Sequence, residues 1–201
     1  MKTIIAIGRE YGSGGREIGE RLAKEFNIPF YDKELLSEAA RESGISEEAF
    51  IENDEKHNRS FLYSLAIGGY GSGNLPFNHK LFLAQFDAIR ALANQGPCVI
   101  IGRCADYALA DYPNVINIFI HGNEEDKINR VMDRYPDVTT KDKALEMILK
   151  KDKQRQSYYN YYSSKKWGRS DTYDLTINSS VLGIDGTVKL ITQFVDDFEN
   201  R

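Results

Sequence analysis

Apolar residues arrive along this chain in two rhythms. Thr3-Ile4-Ile5-Ala6-Ile7 is β-branched and apolar without alternation, which predicts a strand buried on both faces and broken by Gly8. From Ile18 the rhythm changes: Ile18, Leu22 and Phe26, with Ala23 beside them, form the 3.6-residue stripe of a surface helix. Residues 98–101 and 115–120 repeat the strand rhythm, 175–177 is a last short strand, and 28–31 is a brief extended piece ending at Asp32. Helices are expected over 33–43, with Gly44 as the stop, and from Ser46 through Glu55. A long helix follows at 78–94, with Leu81, Leu83, Phe86, Ile89, Leu92 and Ala93 on its apolar side. Further helices are expected at 124–133, 139–162 and 184–198, the last turning Val188, Ile191, Val195 and Phe198 inward. Residues 67–76 hold four glycines and one proline and read as a flexible connector.

Buried strands alternating with amphipathic helices predict an α/β domain, a parallel sheet with helices on both faces. Right-handed crossovers bring the C-terminal ends of such strands to one edge, where ligands bind. At that edge the sequence puts a glycine-rich stretch, Asp32, Gly102-Arg103-Cys104-Ala105-Asp106, His121 and Asn178-Ser179. No repeat or low-complexity tract interrupts the pattern, so residues 1–201 read as a single domain.

The glycine-rich stretch joins the first strand to the first helix. Gly12, Gly14 and Gly15 surround Ser13 where backbone N–H groups lack intrahelical partners and the helix dipole favours an anion. The usual phosphate loop, G-x-x-x-x-G-K-[ST], adds a lysine for the outer phosphates and a hydroxyl for Mg²⁺. With Gly12-Ser13-Gly14 laid before that lysine, Gly15 takes the lysine position and Glu17 the hydroxyl position. The loop has the shape of a phosphate cradle without its two chemical side chains; Arg16 and Arg9 are the nearby cations that would substitute. The plainer alternative is a tight strand-to-helix turn with no ligand.

Composition narrows the classes. The chain is 41% hydrophobic and 28% charged, ordinary for a globular protein. No apolar run has the length of a membrane span, and the first strand starts too early to leave a targeting segment, so a cytoplasmic protein is expected. Two cysteines, Cys98 and Cys104, make no disulfide framework, and no Cys/His cluster has zinc spacing. The net charge is −4, yet residues 141–169 hold nine Lys/Arg against three acids. A cationic segment in an acidic protein suits a small anionic ligand better than a nucleic-acid polymer.

Arg103, directly after a buried strand and beside Gly102, either grips a phosphate or carboxylate or caps the sheet edge by pairing with Asp106 or Glu10. Asp32 and Asp106 either meet ligand hydroxyls and amino groups or pair with Arg103. Residues 150–169 interleave cations with four tyrosines and the single tryptophan. On a helix Lys151 and Arg155 share a face that Tyr158, Tyr159 and Tyr162 continue. Such an arm either closes over a phosphate site, bringing charge to phosphoryl transfer, or is a solvated face packing its aromatics on the domain. His57, His79 and His121 stand alone and read as structural. Cys104, beside Arg103, is a place for a lowered thiol pKa, with no base to make it a nucleophile.

The runs REYGSGGREIGERLA, IPFYDKELL, VIIGRCADYAL and KKDKQRQSYYNYYSSKKWGRSDTYDLTINSSVLGID resemble the cytidylate kinase-like proteins, a branch of the nucleoside-monophosphate kinases, over nearly the whole chain. The resemblance implies a three-layer P-loop fold on a five-stranded parallel sheet, with strands near 3–7, 28–31, 98–101, 115–120 and 174–177. It also implies a helical acceptor-binding insertion at 33–95 and a lid at 134–170. By position, Gly12, Ser13, Gly14, Gly15, Arg16 and Glu17 would hold donor phosphates, while Asp32, Arg103 and Asp106 would meet the acceptor. Asp152 and Arg155 resemble the Asp and Arg of the lid, and Asn178-Ser179-Ser180 the segment after the last strand. Two departures stand out: Gly15 and Glu17 where cytidylate kinases have lysine and a hydroxyl, and Cys104 where they have aspartate.

The reading is an ATP-dependent phosphotransferase acting on a nucleoside monophosphate, CMP or dCMP by resemblance, or on another small acceptor. Arg16, Lys151 and Arg155 would act on the transferring group, with ATP and Mg²⁺ as cofactors and a small molecule as partner. No nucleic-acid polymer and no membrane is expected. The alternative is a non-catalytic nucleotide- or phosphate-binding sensor that keeps the fold without the chemistry.

Overall fold

The computed structural model describes residues 1–32 and 77–201. The helices expected at 33–43 and from Ser46 through Glu55, the glycine-rich connector at 67–76, His57 and most of the acceptor-binding insertion lie outside those residues.

Five parallel strands form one sheet in the order β2-β3-β1-β4-β5. They are β1 (Ile4–Arg9), β2 (Phe30–Tyr31), β3 (Val99–Ile101), β4 (Val115–His121) and β5 (Leu175–Asn178). Six helices surround them among the described residues: α1 (Gly15–Glu25), α2 (Phe77–Gln95), α3 (Ala105–Ala108), α4 (Glu124–Arg134), α5 (Lys141–Ser163) and α6 (Ser179–Glu199).

β1 lies at the centre, pairing with β3 through Ile5–Val99 and Ile7–Ile101 and with β4 through Ile4–Val115 to Arg9–Ile120. Strand side chains alternate between faces. Ile5 and Ile7 pack with Ile18 and Leu22 of α1 and with Ile191 and Val195 of α6. Ile4 and Ala6 pack with Ala88, Ile89 and Leu92 of α2 and with Ala105 and Ala108 of α3. Each buried isoleucine contributes about 2 kcal/mol of transfer free energy, which makes β1 the axis of the fold.

Three expectations are corrected. Gly8 does not break the first strand: it pairs with Phe119 inside it, and a Cβ there would stand 2.9 Å from the Phe119 ring, so glycine is needed for close packing, not for a turn. Leu83 is 43% exposed, and Phe82 faces inward instead, because α2 turns its aromatic side toward α5. The last helix starts at Ser179, not Ile184. Asn178 caps it by accepting from the Ser180 N–H, and a kink at Gly183 (φ 67°) separates its first turn from the amphipathic part. α4 packs on α5 through Ile128 and Val131 against Ala144 and Ile148, and Thr140 caps α5. This anchors α5 so that its second half crosses the C-terminal edge of the sheet.

Candidate functional site

Two turns leave neighbouring strands at that edge. The first, after β1, holds the glycine loop. Gly12 and Gly14 have φ of 78° and 79°, a backbone that side chains resist. Each is packed: a Cβ on Gly12 would meet the Lys127 carbonyl at 2.8 Å, and one on Gly14 the Ile184 methyl at 2.4 Å. Ser13 is fully buried, its hydroxyl donating to the Glu10 carbonyl and its own carbonyl accepting from the Ser179 hydroxyl.

An anionic oxygen already sits on this turn. The Tyr11 N–H donates to the Asp152 carboxylate of α5 at 2.7 Å. Burial pushes the Asp152 carboxyl up to about 6, and Glu10 adds to the rise, against the pull of the Tyr11 N–H, Arg155 and Lys127. Around the turn, Lys127 reaches Glu10 at 2.8 Å and Arg130 donates to the Gly12 carbonyl at 3.3 Å. Arg155 lies 5.2 Å from the Tyr11 ring centroid and donates to the Arg9 carbonyl at 3.3 Å. The Tyr11 hydroxyl donates to that of Tyr135, and burial raises the Tyr11 pKa.

The second turn, after β3, opens on a cavity. Gly102, Arg103 and Cys104 follow one another in left-handed backbone, with φ of 74°, 59° and 54°. Non-glycine residues adopt this region uncommonly, and such strain concentrates at functional sites. The cavity is bounded by this turn, by the end of β1 and by α5, with Arg9, Arg103, Asp106, Gln154, Arg155 and Tyr173 among its polar lining. Tyr158, Tyr159 and Trp167 supply aromatic wall. Asp106 is 7% exposed, accepts from the Tyr159 hydroxyl and lies 3.4 Å from Lys165. Burial and Asp106 hold the Tyr159 and Tyr173 phenols well above the usual range. Three arginines lining one cavity make it suited to an anionic ligand, and the tyrosines give that ligand an apolar surface with hydroxyls.

The structure brings Arg103, Asp106 and Arg155 to this cavity. Asp32 is at the end of β2, 13% exposed, bound by Arg16 Nε at 2.9 Å and within 4.0 Å of Arg9. Arg16 is thereby turned from the loop toward Asp32 and Glu20, and stacks on Phe30 at 5.5 Å. Glu17 pairs with Arg21 at 2.6 Å and is half exposed, facing away from the turn. Lys151 is half-buried on α5 and is not part of the cavity wall. The expectation for Cys104 is corrected: it is 4% exposed, and burial raises its thiol pKa, with Asp106 outweighing Arg103. His79 packs among Tyr161 and Tyr162, and His121 ends β4. Lys127, Arg130, Gln154 and Tyr173 were not singled out by the sequence. Gln154 is one residue before Arg155 on a helix already suspected, but Lys127 and Arg130 are visible only once α4 is packed on the loop.

The family model described as the cytidylate kinase-like family matches residues 4–181, and the chain belongs to that family. No curated protein matches it. Among solved structures, an uncharacterized protein from Eubacterium ventriosum ATCC 27560 is 35% identical over 97% of this chain and 99% of that one, with a TM-score of 0.74. Shikimate kinase from Bacteroides thetaiotaomicron is 14% identical, covering 98% of this chain and 99% of that one, TM-score 0.53. A gluconokinase from Sinorhizobium meliloti 1021 is 14% identical, covering 98% and 96%, TM-score 0.54. The last two show a shared fold. The chain is thus a kinase-like P-loop protein. No helix among the described residues is long and apolar enough to cross a membrane.

Proposed function

Starting from a cytidylate kinase-like chain, we propose an ATP-dependent phosphotransferase whose acceptor is a small phosphorylated molecule, a nucleoside monophosphate such as CMP or dCMP. The observation that carries this reading is the convergence of Arg9, Arg103 and Arg155 on one cavity beside the glycine turn. Arg103 holds the acceptor's anionic group, and Tyr158, Tyr159 and Trp167 flank its ring. Arg155 lines the cavity and donates to the Arg9 carbonyl, and in this reading it meets the charge that develops during transfer. Residues 134–170 act as the lid and 33–95 as the acceptor-binding insertion, in a cytoplasmic protein.

Bound at Gly12 to Arg16, ATP would supply the phosphoryl group. The turn fits a phosphate in backbone terms, since its Tyr11 N–H already binds a carboxylate. Magnesium finds no matching side chain in the turn. Glu10 is held by Lys127 and Glu17 by Arg21, and no step is assigned to it.

A second reading, a phosphate or nucleotide sensor without transfer, is favoured by Arg16: its pairing with Asp32 and Glu20 takes it out of the turn. A panel of nucleoside monophosphates and small alcohols, assayed with ATP and Mg²⁺ by ADP release, separates the two. Release with one acceptor, lost in Arg103→Ala, is the expected result. ATP binding without release for any acceptor would replace the enzyme with the sensor.

A further inference from the structure

A lysine is missing from the phosphate loop, and the structure offers a reason. Laid on G-x-x-x-x-G-K-[ST], the pair Gly14-Gly15 falls on Gly-Lys, Arg16 and not Glu17 falls on the hydroxyl position, and Arg9 stands where the pattern has its first glycine. Glycine and cation have exchanged places. The geometry makes this one substitution in two parts. A Cβ on Gly15 would stand 2.6 Å from the Arg9 Cβ and 3.1 Å from its Cγ, so a side chain at 15 and an arginine at 9 exclude each other. The Arg9 stem fills the space that a lysine at 15 would leave from.

Its guanidinium has a prepared seat. Gly102, with φ 74°, lies against it so closely that a Cβ there would be 2.0 Å from Arg9 Nη1. Asp32 faces the other nitrogen at 4.0 Å, and the side chain is only 14% exposed. Arg9 therefore spans the gap between the glycine turn and the Arg103 cavity, touching both. Arg16, the other substitute that the sequence offers for the lysine, is committed to Asp32 and Glu20.

From this we infer that Arg9 supplies, from the strand side, the cation that the phosphate-loop lysine supplies from the helix side. The inference rests on the phosphotransferase reading for its catalytic sense, though not for its binding sense. In the transfer, the bond from the γ-phosphorus to the bridging oxygen breaks, that oxygen keeping the electron pair and leaving on ADP. An oxygen of the acceptor phosphate bonds to the phosphorus. Arg9 gives up no proton and acts on the charge that gathers on the transferring group.

The test transplants the charge. Tripolyphosphate binding by calorimetry and ADP release are measured for the wild type, Arg9→Lys, Arg9→Ala, Arg9→Gly and Arg9→Gly/Gly15→Lys, with folding checked by thermal unfolding. Arg9→Ala is expected to weaken tripolyphosphate binding by roughly 10- to 100-fold, the loss of a charge-assisted hydrogen bond. Arg9→Lys is expected to keep most of the affinity. The double variant should regain much of what Arg9→Gly loses, because the lysine now has the vacated space. Wild-type affinity in Arg9→Ala would overturn the inference. So would a folded double variant binding no better than Arg9→Gly; if the double variant fails to fold, Arg9→Lys against Arg9→Ala decides. Binding that depends on Arg9 in a protein that releases no ADP would support the assignment while sinking the phosphotransferase.

Discussion

The turns after β1 and β3 are neighbours on one sheet edge, and both are built on left-handed backbone, yet they behave oppositely. The first has glycine at its left-handed positions, and the space a side chain would need is occupied: Lys127 backbone at Gly12, Ile184 at Gly14, Arg9 at Gly15. The second has one glycine, then Arg103 and Cys104 forced into the same region, and opens on a cavity. A glycine cluster can thus mean close approach by the protein itself as readily as by a ligand. Side chains strained into left-handed backbone beside a cavity point more directly to a site.

Substitution can break this contrast. The largest effect is expected for Gly12→Ala, because the added methyl meets Lys127 backbone, which cannot swing aside, in a φ that alanine resists. A loss of about 3 kcal/mol in urea unfolding is expected; a loss no greater than that of Gly102→Ala would remove the distinction between the turns. Gly102→Ala meets only the end of the Arg9 side chain, so it should cost about 1–2 kcal/mol for its backbone while displacing Arg9 and weakening tripolyphosphate binding. Unchanged binding there would separate Arg9 from the anion site. A shift that depends on pH concerns Asp152, whose carboxyl goes from 3.8 to about 6 on folding. The folded state holds that proton more tightly, so stability rises as pH falls from about 6 toward 4, and the ionised group is a burden above that window. Asp152→Asn should raise the unfolding midpoint near pH 7.5 and lose the advantage near pH 4. An equal gap at both would show that burial of this charge is not what the turn tolerates.

Much of the fold was legible because its strands carry no polar alternation. Residues 3–7, 98–101 and 115–120 read as buried strands, the first of them on both faces, and the parallel sheet follows from them. Gly8 misled because a glycine inside a strand, needed for contact with Phe119, looks in sequence like one that ends it. The loop was legible in its glycines and not in what fills it. Asp152 is far along the chain from Tyr11, and a hydrogen bond between them has no local signature. Arg9 is one of the two substitutes that the sequence offers for the lysine. The closeness of its Cβ to Gly15 and the pairing of Arg16 with Asp32 and Glu20 distinguish the two, and periodicity carries no distances.

The carboxylate on the Tyr11 amide would compete with any anion that approaches the first turn. A phosphate bound at that amide would have to displace Asp152, so its affinity would be a difference between two anions. Asp152 rides on the same rod as Arg155, Tyr158 and Tyr159, which wall the second turn. One helix therefore carries both the carboxylate on the first turn and part of the wall of the second turn's cavity.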